Sequence, residues 1–82
     1  MPYRGCWRLV GLDERLLDKG ELDGLHEHEA GAVEEILMHL PNFAVHGWNA
    51  EQKEWWARKT EQADIEMRFR VELRVTTTTS VQ

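Results

Sequence analysis

The chain has 82 residues, with 15 acids, 10 bases and four histidines, and a net charge of −5 at neutral pH. A chain of that length makes one domain with a modest core, burying roughly 60% of its unfolded surface, so residues 1–82 are expected to fold as a single unit. A single cysteine, Cys6, excludes an internal disulfide and a thiolate metal finger and suits a reducing, cytoplasmic setting; no apolar run reaches signal-peptide length or the ~20 residues of a membrane span.

The first predicted element is a strand in YRGCWRLVG, where Tyr3, Gly5, Trp7 and Leu9 alternate with Arg4, Cys6, Arg8 and Val10, placing aromatics inward and arginines outward. In GLDERLLDKG, Asp13 can cap a helix and Gly20 can stop one, with Leu12, Leu16 and Leu17 as an apolar patch; one or two helical turns are expected. A full helix is predicted over residues 27–40, where Ala30, Val33, Ile36, Leu37 and Leu40 recur at helical spacing and Pro41 ends the run. NFAVHGW is short and apolar and reads as a brief strand.

Residues 50–61 open with Asn49 and, three positions on, Gln52, the capping-box arrangement, which predicts a second helix. Its only large apolar residues are Trp55 and Trp56, which as neighbours on a helix diverge by about 100° and cannot both face a core. The last element is DIEMRFRVELRV: Ile65, Met67, Phe69, Val71, Leu73 and Val75 alternate with Glu66, Arg68, Arg70, Glu72 and Arg74, a strand with one apolar and one charged face. Residues 77–82, from TTTTSVQ, are expected to form a flexible tail. The fold class that follows is α+β, a small antiparallel sheet with its first and last strands paired and two helices packed on one face, the other face being left to water.

Charge is unevenly placed. Residues 11–64 hold 13 acids against 5 bases, and nine of those acids, from Asp13 to Glu35, face only Arg15 and Lys19. Such a concentration steers basic partners towards it and can mimic a phosphate backbone. Asp23, Glu27, Glu34 and Glu35 are the candidate partner-binding acids, joined by Trp48 and Trp55, since an exposed indole is a frequent interface anchor. Arg4, Arg8, Arg68, Arg70 and Arg74 would share the open sheet face and form an alternative, nucleic-acid-contacting surface. Two facts weigh against that alternative: the overall charge is negative, and cross-strand ion pairs with Glu66 and Glu72 would produce the same pattern.

Metal binding and catalysis find little support. His26 and His28 in HEHE would point about 200° apart on a helix, and Glu35 with His39 supplies only an i, i+4 pair. Cys6, between two arginines, could have a lowered thiol pKa, yet the scattered glycines make no phosphate loop or nucleophile elbow. No cofactor, metal or enzymatic activity is expected. The expected function is a small non-enzymatic inhibitor or adaptor whose acidic helical side engages a basic surface of a larger protein, such as a nucleic-acid-binding protein. An accessory role of this kind would suit a virus or mobile element. A homodimer through residues 65–75 is also expected, because antiparallel self-pairing about Arg70 would set Arg68 against Glu72 and Glu66 against Arg74.

Overall fold

The computed structural model describes residues 2–74. The expected tail, 77–82, and Val75 of the last strand lie outside the described residues. Five strands form one antiparallel sheet: β1 (Tyr3–Gly11), β2 (Leu16–Glu21), β3 (Val45–Asn49), β4 (Glu54–Arg58) and β5 (Ile65–Leu73), in the order β2-β1-β5-β4-β3. One α-helix, α1 (Glu29–His39), continues into a 3-10 turn over Leu40–Asn42 and packs on one face of β1 and β5.

The first and last strands pair along their whole length, from Tyr3 with Leu73 to Gly11 with Ile65. Directly opposed residues share a face, so the odd positions of both strands lie on the helix-covered face and the even ones on the other, as the period-two pattern requires; Ile65 and Leu73, at the two ends of β5, remain exposed, and Cys6 and Val10 are buried on the other face. Across the covered face runs a row of directly opposed residues, Gly20, Trp7, Phe69, Trp55 and Trp48, one from each strand. Phe69 is its buried centre, at 3% exposure; Phe43 meets it edge-on with ring centres 6.1 Å apart, and Ile36, Leu40 and Ala57 complete the cluster. Trp7 crosses directly above Gly20, where a Cβ would lie 2.5 Å from the indole. Helix and sheet also approach closely at Gly5, whose Cβ would come within 3.1 Å of Ile36.

Two expected helical segments are strands or turns, so the two-helix, small-sheet architecture gives way to one helix on a five-stranded sheet. Residues 12–15 form the tight turn joining β1 to β2: Gly11 N–H donates to the Arg15 carbonyl at 3.0 Å, Glu14 takes φ 65°, and Asp13 Oδ1 accepts from the Arg15 amide at 3.2 Å. The Asp13 side chain therefore caps a turn, and Leu16 and Leu17 begin a strand, exposed.

The Asn49 signal was locally sound. Asn49 Oδ1 accepts from the amides of Glu51 and Gln52 at 3.0 and 3.1 Å, but Lys53 then takes φ 55°, which a right-handed helix cannot accommodate, and the chain turns back as β4. A strand also resolves the adjacent indoles, because successive side chains point to opposite faces. Trp55 joins the core row beside Phe69, and Trp56 lies over Gly47 on the open face, 2.8 Å from where a Cβ would be.

The expected homodimer through residues 65–75 assumed an edge strand. Instead β5 is paired with β1 on one side and, over Met67–Phe69, with β4 on the other. Self-pairing about Arg70 would need a free edge from Glu66 to Arg74, and β4 already occupies that edge over Met67–Phe69. The outer strands of the sheet are β2 and β3.

Candidate functional site

The open face of the sheet gathers the arginines. Arg4 stands opposite Glu72, Cys6 opposite Arg70 and Arg8 opposite Arg68, and all five arginines of the alternative surface lie there, joined by Arg58 from β4. Each is held by carboxylates. Arg4 and Arg74 share Glu21, the former at 2.8 Å; Arg70 and Arg74 share Glu72 at 2.9 and 2.7 Å. Arg58 and Arg68 share Glu66 at 2.9 and 2.7 Å, and Arg68 also grips Glu14 through both terminal nitrogens.

Arg8 donates to Glu54 at 2.8 Å, and Glu54 is only 4% exposed. Opposed like charges are unfavourable, so the facing pair Arg8 and Arg68 depends on these carboxylates. The groove above them holds about 490 Å³ and is lined by charges of both signs, among them Arg8, Lys19, Glu54, Arg70 and Glu72.

Protonation equilibria carry the same imprint. The Arg74 hydrogen bond, assisted by Arg70, holds Glu72 below the ordinary carboxylate range against its partial burial. Arg4 and then Arg74 do the same for Glu21, and Arg68 does so for Glu14. Arg68 and Arg74 are raised in turn, chiefly by Glu14 and Glu72 respectively. Cys6 moves opposite to the direction that its flanking arginines suggested: burial first, then Glu72, raises the thiol and outweighs Arg74. A buried, protonated thiol is a packing group.

The acidic side is different in kind. Asp23, Glu27 and Glu34 are exposed, as is Glu29 in the first turn of α1, and among the described residues none of the four has an ion-pair partner within 4.0 Å. Glu29 is well placed by its position, since a carboxylate at a helix N-terminus is favoured by the helix dipole.

Glu35 is the exception among the predicted acids, being turned inward. It accepts from His26 Nε2 at 2.8 Å and from the Gly24 amide at 3.1 Å, and the His26 bond, with that amide, lowers its pKa despite burial. It fastens the segment after β2 to the helix, a segment whose other side is zipped to β1 by paired bonds between Tyr3 and His26.

The tryptophans do not join the acids in one patch. Asp23 and Glu27 flank β1 on the side of β2, whereas Trp48 lies on β3 at the opposite edge. Trp48 is 49% exposed and rests against the half-buried Trp55, ring centres 4.4 Å apart. Among the described residues, no three His, Cys, Asp or Glu side chains converge on a point where a metal ion could sit, and no helix is long and apolar enough to cross a membrane.

Sequence reasoning had no means of finding Glu14, Glu21 and Glu54 as arginine partners, since they come from three different segments. Glu66 and Glu72, alternating within the arginine row, were visible. No family model, no curated protein and no solved structure matches the chain.

Proposed function

We propose that this is a small non-enzymatic protein-binding domain, an inhibitor or adaptor acting in the cytoplasm, whose acidic helical side engages a basic surface of a larger protein. One contrast supports this reading: six arginines are matched on the open sheet face by five glutamates, while Asp23, Glu27, Glu29 and Glu34 have no ion-pair partner among the described residues. Six arginines against five glutamates leave the open face close to neutral, so the net charge of −5 resides in the rest of the chain, of which Asp23, Glu27, Glu29 and Glu34 are an exposed part, and such a field accelerates association with a basic surface. A nucleic-acid strand on the arginine face would have to displace internal carboxylates, each already hydrogen-bonded, before its phosphates could bind.

The test uses an immobilised arginine-rich peptide and an immobilised single-stranded oligonucleotide across a salt series. Binding to the peptide that weakens with salt, and that is lost in Asp23→Lys/Glu27→Lys/Glu34→Lys, supports the proposal. Glu35 is left untouched because its role is internal. Retention on the oligonucleotide with none on the peptide would overturn it in favour of the arginine face.

A further inference from the structure

The two outer strands of the sheet differ in how they are defended. An unpaired strand edge invites pairing, and soluble proteins protect such edges with charges, prolines or irregularities. β2 carries Asp18, Lys19 and Glu21, and its register against β1 is broken between Leu9 and Val10. β3, Val45–Asn49, has the sequence VHGWN: no proline and no Asp, Glu, Lys or Arg, in a chain that is 30% charged. Among the described residues its outer side has no neighbouring strand.

We infer that β3 is an interaction edge, and that its partner is β3 of a second copy of this chain, antiparallel and two-fold symmetric about Gly47. The side chains select this occupant. On the open face Trp56 overhangs Gly47, so an incoming strand must be small at the position opposite, and Gly47 of a second copy is the smallest residue available. On the core face the same register sets Trp48 against the second copy's His46, and His46 against its Trp48.

Both His46 and Trp48 are exposed, and cross-strand aromatic pairs are among the stabilising ones. Val45 falls opposite Asn49 and, beyond the strand, Ala44 opposite Ala50, so no like charges meet. The result is a ten-stranded sheet in which each aromatic row ends against an imidazole of the other copy instead of in water. Asp23 and Glu27 lie at the far edge and stay exposed, so the dimer would present two acidic patches; it stands or falls independently of what those patches bind.

Sedimentation equilibrium of the whole chain, from sub-micromolar to high micromolar concentration, decides the matter. A mass approaching twice that of the chain is expected. Since the interface contains no ion pairs and the copies repel through their net charge, association should hold or strengthen as salt is raised. His46→Lys and Trp48→Lys place a charge on the edge, and each should raise the dimer dissociation constant at least about ten-fold, equivalent to roughly 1.4 kcal/mol. Circular dichroism checks that they remain folded; His46→Lys spares the contact between Trp48 and Trp55 should Trp48→Lys fail that check. A wild-type chain that is monomeric throughout, a dimer that dissolves in salt, or a dimer that persists in the folded variants would each overturn the inference.

Discussion

Phe69 and Arg70 are neighbours in β5 that face opposite ways, and truncating each to alanine should have very different consequences. Phe69 is 3% exposed, so nearly all of the ~150–200 Å² of an aromatic side chain is withdrawn from water, which at ~25 cal/mol per Å² amounts to about 4–5 kcal/mol. Alanine retains part of that burial, but the ring leaves a cavity among Trp7, Trp55, Phe43 and Leu40, and the expected loss is about 3–5 kcal/mol.

A domain of this size has about 4–12 kcal/mol in all, so Phe69→Ala should lower the melting temperature by about 12–40 °C or leave the chain largely unfolded. The Arg70 side chain is 50% exposed and, among the described residues, pairs only with Glu72, which Arg74 also holds; Arg70→Ala should cost less than about 0.5 kcal/mol. Thermal unfolding followed by far-ultraviolet circular dichroism measures both. Equal shifts, or a larger one for Arg70→Ala, would mean that the faces of β5 are assigned the wrong way round.

Gly20→Val and Gly47→Val each insert a side chain under an indole on opposite faces of the sheet, and each should destabilise by about 1–3 kcal/mol, visible as a lower urea midpoint; wild-type stability in either would show that the indole above it is not held there. Glu35, depressed below the ordinary carboxylate range by His26, contributes stability that is fully present above about pH 4.5 and lost as pH falls through its lower folded-state pKa. Glu35→Gln should accordingly flatten the acid limb of a stability-against-pH curve, and an unchanged limb would remove its role in anchoring the segment after β2. Cys6, buried with its thiol raised, should react with iodoacetamide at neutral pH far more slowly in the native protein than in urea; equal rates would contradict its burial.

Local pattern was enough for part of this protein. Strict alternation from Ile65 to Arg74 defined both the strand and its two faces, because a period of two is the only one that places its five apolar residues on one side. Helical spacing marked α1 for similar reasons, within two residues of its observed ends. The segments that misled were those in which one local interaction serves two structures. Asn49 and Asp13 accept backbone amides in the same way whether a helix or a turn follows, and the choice was made elsewhere: by Gly47 and Gly20, which leave room for Trp56 and Trp7 only once strands lie side by side.

Charge divides along the same line. The excess of acid between Asp13 and Glu35 is a property of composition, but whether a given carboxylate is free or engaged depends on which distant side chain reaches it. Only the tertiary structure turns Glu35 towards His26, delivers Glu14, Glu21 and Glu54 to the arginines, and leaves Asp23, Glu27 and Glu34 facing water. Ion pairs and sheet edges are made between segments far apart in the chain, so they are decided by the order in which strands are laid into the sheet, and that order is set by what each face can bury.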